Sequence, residues 1–212
     1  MEKQIIPTIL VTTFDEFTEQ IKKLKKFPLT QIDVMDGEFV DNKSFEEIEK
    51  INQLDNLPNF ELHLMVKHPL TEIEKWSAIK NIRRVIFHIE SDDNPTAVLE
   101  KINGHCWQAG IAINPETPLE TIEPYFNRVN EILFLTVHPG HRGGSFIPEV
   151  KNKIEEFIKI KNRPLCAADG GINKNNIIEL KNCGVEIFCI GSALTMSDNV
   201  EKTYQEINNL IA

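Results

Sequence analysis

Three polar side chains stand at the ends of otherwise apolar runs. In QIDVMDG (residues 31–37) a period of two puts Gln31, Asp33 and Met35 on one side of an extended strand, and in ELHLMV (61–66) it does the same for His63 and Met65. In AADGGIN (167–173) Asp169 leaves an apolar run and enters a Gly170–Gly171 turn. An acid or an imidazole inside an apolar strand is costly unless it is paired, hydrogen-bonded or bound to a metal. Taken singly, Asp33 also reads as a loop-capping carboxylate and His63 as a satisfied core histidine. Three such positions at three strand ends point to a site. His68, His88, His105, His138 and His141 read as ordinary loop or strand-end residues.

Glycines form a second cluster: Gly143 and Gly144, Gly170 and Gly171, then Gly191 with Ser192. Each pair follows one of the late apolar runs. Backbone N–H groups without side chains in the way can approach an anion closely, so three such pairs in successive loops suit a phosphate.

These positions need a scaffold that gathers strand ends. Eight short apolar runs, IIPTIL, LTQIDV, FELHLMV, RRVIFHI, GIAIN, EILFLTV, PLCAAD and VEIFCIG, alternate with segments of helical period. Phe14, Phe17, Ile21 and Leu24 make one helical stripe, and Val150, Ile154, Phe157 and Ile158 another. Asn173 is expected to cap a helix running to Cys183, with Gly184 as its stop. Asp198 with Glu201 is expected to open a last helix carrying Val200, Tyr204, Ile207 and Ile211. A repeat of roughly 25 residues suits a closed (β/α)8 TIM barrel. An open doubly wound sheet shares the alternation, but no G-x-G-x-x-G follows the first run and the polar residues recur at several strand ends, which favours the barrel. The whole chain, 1–212, is read as one domain.

A net charge of −9 argues against nucleic-acid or anionic-membrane partners, which require a basic face. Cys106, Cys166, Cys183 and Cys189 form no C-x-x-C pair and read as reduced thiols. No run reaches the roughly 18 apolar residues of a membrane span, and Pro7 interrupts the apolar start, so a cytoplasmic location is expected.

PTIL, QIDVMDGEFVDN, ELHLMVKHP, FHIE, GIAINPETPLE, LTVHPGHRGGSF, ADGGIN and IGSAL fall in an order and spacing that resembles the ribulose-phosphate 3-epimerase family along nearly the whole chain. The resemblance implies a ribulose-phosphate-binding barrel that interconverts D-ribulose 5-phosphate and D-xylulose 5-phosphate through an enediolate. It casts Asp33 and Asp169 as the acid and base at C3. It also implies one divalent metal ion, Zn, Mn, Fe or Mg, on Asp33, His63, Asp169 and the position of Gln31. Thr8, His63, Met35 and Met65 would contact the sugar, with Leu135 where the family has a third methionine. Gly143, Gly144, Gly170, Gly171, Gly191 and Ser192 would hold the phosphate.

Two departures stand out. Gln31 replaces a histidine ligand, and an amide oxygen is a poorer zinc donor than imidazole. Three consequences stay open: weaker binding, a preference for harder ions, or loss of the metal with Gln31 donating a hydrogen bond to substrate. A ligand role for His138 is disfavoured, since pleat counting from Leu135 sends it outward. In the phosphate loop, His141, Arg142 and Gly144 replace an aromatic, a glycine and a glutamine, and Asp41 replaces a proline at the same rim. An epimerase of a hexulose 6-phosphate and a paralogue that only binds sugar phosphate therefore remain alternatives. A Schiff-base aldolase does not fit, because Lys67 lies beyond the third strand. Apolar outer helices leave room for a homo-oligomer.

Overall fold

The structure, a computed structural model, describes residues 3–140 and 144–212. Eight parallel strands close into a barrel in chain order: β1 (Gln4–Ile9), β2 (Leu29–Met35), β3 (Asn59–Met65), β4 (Ile82–His88), β5 (Gln108–Ile113), β6 (Glu131–Leu135), β7 (Leu165–Asp169) and β8 (Ile187–Ile190). They coincide with the eight apolar runs to within a few residues. β1 closes the ring by pairing with both neighbours, Thr8 opposite Gln31 and Gln4 opposite Ile187.

The helices are α1 (Phe14–Leu24), α2 (Pro69–Trp76), α3 (Pro95–Gly104), α4 (Val150–Ile158), α5 (Ile177–Asn182), α6 (Ser192–Thr195) and α7 (Val200–Ile211). Phe17, Ile21 and Leu24 of α1 and Val150, Ile154 and Phe157 of α4 are buried in the layer between helices and barrel. Each such side chain stabilises the packing by roughly 1.5–3 kcal/mol relative to exposure. Among the described residues no helix is long and apolar enough to cross a membrane.

The alternation is less regular than the apolar pattern implies. Between β2 and β3 the chain forms a 3-10 helix, Ile48–Gln53, in which Ile51 is the one buried residue. Between β5 and β6 it forms 3-10 helices at Leu119–Thr121 and Glu123–Arg128, in a stretch where Pro118 and Pro124 remove backbone donors.

Two helix starts also shift. α5 begins at Ile177 after Asn176, not at Asn173, whose side chain instead accepts from Asn175 N at 2.9 Å in the preceding turn. The cap of α7 is Asn199, which accepts from Lys202 N at 3.0 Å, and not Asp198. α5 does stop at Cys183, and Gly184 turns the chain at φ +102°.

Inside the barrel the side chains are layered. Ile6, Ile86, Ala112, Leu133, Leu135, Ala167, Ile187 and Cys189 form an apolar filling. Toward the N-terminal ends of the strands Glu61 and Glu131 share the Arg84 guanidinium, all three being buried. Toward the C-terminal ends lie Gln31, Asp33, His63 and Asp169.

Candidate active site

In the register of β2 and β3, Gln31 lies opposite Glu61, Asp33 opposite His63 and Met35 opposite Met65. β7 brings Asp169 beside Leu135 of β6 and Cys189 of β8. The barrel closes these strands onto one point. His63 Nδ1 lies 2.9 Å from Asp33 Oδ1 and 3.7 Å from Asp169 Oδ2. The Gln31 amide nitrogen donates to Asp33 Oδ1 at 2.8 Å and to Asp169 Oδ2 at 2.6 Å. Gln31 thus bridges the two carboxylates, a contact that none of the three consequences drawn from the sequence included.

Electrostatics at this point oppose one another. Burial and the neighbouring Asp33 carboxylate push the Asp169 carboxyl up to about 7. Burial disfavours charge on His63, but its hydrogen bond to Asp33 and the nearby Asp169 outweigh that and hold its pKa above the ordinary imidazole value.

Asp33, His63 and Asp169 offer ligand atoms all within 4.8 Å of one another, a group able to hold a metal ion. Gln31 supplies the test of fit. Its Oε1 is buried and has no hydrogen-bond partner. The donor atoms that meet at one point are two carboxylates and one imidazole nitrogen, a set that fits a divalent ion and is richer in oxygen than a typical zinc site, while Gln31 turns its amide nitrogen toward it.

A cleft of about 780 Å³ opens above these residues and is lined by Thr8, Asp33, His63, Met65, Leu135 and Asp169 at its floor. Gly144, Gly170, Gly171, Gly191 and Ser192 line another part of the same cleft. Gly170 has φ +115°, and a Cβ there would meet Val137 Cγ2 at 2.5 Å. At Gly191 a Cβ would come within 2.8 Å of the Thr8 hydroxyl. Met35 is buried and stands outside the lining of the cleft. Gly143, with His141 and Arg142, lies outside the described residues. His138 is exposed and pairs with Glu116 at 2.9 Å, pointing away from the site as expected.

Several residues escaped the sequence reading. Gln20, Pro139, Gly140, Thr195 and Met196 also border the cleft. His88, taken as an ordinary strand-end residue, is fully buried with its Nε2 3.0 Å from His63 Nε2. Burial, reinforced by charge on His63, depresses its pKa to about 4, so the ring is neutral near pH 7. The signal was present: Arg84, Ile86 and His88 share one strand face by the same period of two that selects His63. Asp36, the second acid of DVMDG, braces the loop after β2 by accepting from Glu38 N, Phe39 N and Lys67 N at 2.6–2.8 Å.

A closed parallel barrel with two acids and an imidazole at the C-terminal mouth defines an enzyme of the (β/α)8 class. Solved structures agree on the fold: 3-hexulose-6-phosphate synthase from Salmonella typhimurium superposes with a TM-score of 0.72 at 11% identity, covering 98% of both chains. KGPDC from Streptococcus mutans does so at 0.74 and 10% identity, covering 100% of this chain and 98% of its own. The ribulose-phosphate 3 epimerase family model matches residues 4–195. The ribulose-phosphate 3-epimerase of Buchnera aphidicola subsp. Baizongia pistaciae is 31% identical over 96% of this chain and 93% of its own length. That of Helicobacter pylori J99 is 29% identical over 98% and 97%. The chain belongs to the ribulose-phosphate 3-epimerase family, and it is an isomerase.

Proposed function

We propose that the protein interconverts D-ribulose 5-phosphate and D-xylulose 5-phosphate by removing and returning the proton at C3. The observation that carries this reading is the convergence of Asp33 and Asp169, from β2 and β7, on the single Gln31 nitrogen at the floor of the cleft. One carboxylate takes the proton from the carbon beside the carbonyl, and the other, protonated, delivers one to the opposite face. The pair is suited to this because burial and the neighbouring Asp33 carboxylate push the Asp169 carboxyl up to about 7.

Asp33, His63 and Asp169, joined by Gln31 with its amide turned oxygen-inward, would hold a divalent ion, whose chemistry there would be Lewis-acid stabilisation of the enediolate oxygen. Met65 and Leu135 exclude water beside the reacting carbons, and Thr8 offers a hydroxyl at the cleft wall. The phosphate is held by backbone N–H groups of Gly144, Gly170, Gly171, Gly191 and Ser192, joined by Gly143. Such local donors suffice despite the chain's net charge of −9. The reading takes 1–212 as one catalytic domain acting in the cytoplasm on a small ketose phosphate.

The test is incorporation of solvent deuterium at C3 of ribulose 5-phosphate with zinc, manganese or magnesium supplied. Asp33→Asn and Asp169→Asn are each expected to slow exchange by roughly 10²–10⁴-fold. No exchange by the wild-type protein with any of these metals, alongside measurable binding of the sugar phosphate, would make it a binder instead.

A further inference from the structure

The FHIE segment at the end of β4 has no part in the reaction as described so far, yet it ends against the centre of the site. His88 Nδ1 lies 3.2 Å from Glu90 Oε2, and His88 Nε2 lies 3.0 Å from His63 Nε2. Glu90 is itself anchored: Oε1 accepts from Asn114 N at 2.9 Å and from the Thr117 hydroxyl. Phe39, from the loop after β2, places its ring 4.8 Å from the His88 ring, and the His63 and His88 rings are 5.1 Å apart at 27°.

The hydrogen-bonding inventory of these groups fixes the proton positions once a cation occupies His63 Nδ1. An ionised carboxylate only accepts, so His88 must present its Nδ1 hydrogen to Glu90. With a cation on Nδ1, the His63 ring is neutral and keeps its one hydrogen on Nε2, so the Nε2 of His88 that faces it must offer a bare lone pair. Two nitrogens 3.0 Å apart need one hydrogen between them, and His63 must supply it from its own Nε2. His63 Nδ1, the atom facing Asp33 and Asp169, is thereby the nitrogen left free to take a proton or a cation.

We propose that Glu90 and His88 are positioning residues that fix the tautomer of His63 through the chain Glu90···His88···His63, so that Nδ1 always faces the two aspartates. The proposal deepens the reading of the site as an epimerase centre. An imidazole ligand whose other nitrogen donates to a fixed acceptor is more basic and better oriented than a free one. The carboxylate here acts at one remove, through a second imidazole.

The experiment is nitrogen-15 NMR of histidine-labelled full-length protein, first with chelator and then with zinc. In the zinc-loaded state His63 is expected to carry a hydrogen on Nε2, with scalar coupling across the hydrogen bond to His88 Nε2. Glu90→Ala should abolish that coupling and weaken zinc binding, read by calorimetry, by roughly 10–100-fold. Glu90→Gln, whose side-chain oxygen still accepts from His88 Nδ1, should restore most of both. A zinc-loaded wild-type protein with His63 protonated on Nδ1 and bare at Nε2 would overturn the proposal. So would a folded Glu90→Ala protein with coupling and zinc affinity unchanged. The NMR readout needs no substrate, so coupling present in a protein that exchanges nothing at C3 would sink the epimerase reading and leave the relay standing.

Discussion

Replacing Glu131 by glutamine should make the protein more stable at alkaline pH while changing little near pH 5. Glu61 Oε2 lies 2.5 Å from Arg84 Nη1, and Glu131 Oε2 hydrogen-bonds the same nitrogen, all deep under the catalytic layer. One guanidinium cannot neutralise two buried carboxylates. Burial and the charge of Glu61 accordingly push the Glu131 carboxyl from its ordinary 4.5 to about 8, against the pull of Arg84. A folded-state value above the unfolded one means that the native protein holds a proton the unfolded chain has released. Stability from this group is therefore complete below about pH 4.5 and is lost as pH rises through about 8. At about 1.4 kcal/mol per pH unit in that window, the loss between pH 5 and 9 approaches ~4 kcal/mol as a ceiling. Glutamine keeps the shape and leaves Arg84 paired one-to-one with Glu61. Urea unfolding at pH 5 and 9 should show the two proteins within ~1 kcal/mol at the lower pH and the variant ahead by about 2–4 kcal/mol at the higher. Parallel stability curves for the two proteins across that range would refute the account of a shared proton.

Three further outcomes are expected. Gly170→Ala combines φ +115° with a Cβ 2.5 Å from Val137 Cγ2, so it should lower the urea midpoint by an amount worth at least ~1 kcal/mol. Asn199→Ala should cost ~1 kcal/mol in thermal or urea unfolding, while Asp198→Ala should cost a few tenths, because only Asn199 caps α7. Gln31→His exchanges an amide for the imidazole of the family pattern and should tighten zinc binding about tenfold or more in calorimetry.

The barrel was legible because each strand and its flanking helix carry separate, local periodicities. Gln31, Asp33 and Met35 on β2 and His63 and Met65 on β3 could be placed on one face by counting residues, and the register bears that out. The same count selects Glu61, Arg84, His88 and Glu131, yet nothing in one strand says what stands opposite it. A buried charge is recognisable only through its partner, and Arg84 finds its two on β3 and β6. Helix starts failed for a narrower reason. Asp198 and Asn199 are both good caps, and the choice falls to the direction in which the chain leaves α6, a tertiary matter.

Gln31 marks the limit most clearly. Read from sequence it is a lost ligand, and the consequences drawn from it are weaker binding, a preference for harder ions or loss of the metal. In the barrel its amide nitrogen occupies the point on which both acids converge, and its oxygen is buried with no hydrogen-bond partner among the described residues. An amide presents a donor at one end and an acceptor at the other, so one side chain can satisfy the carboxylates when no cation lies between them and face a cation when one does. Histidine at this position could offer its lone pair to a metal but, as a neutral ring, only one hydrogen to two carboxylates. The substitution is thus a change in what the site can do without its ion, and that property depends on three strands meeting rather than on any motif within one of them.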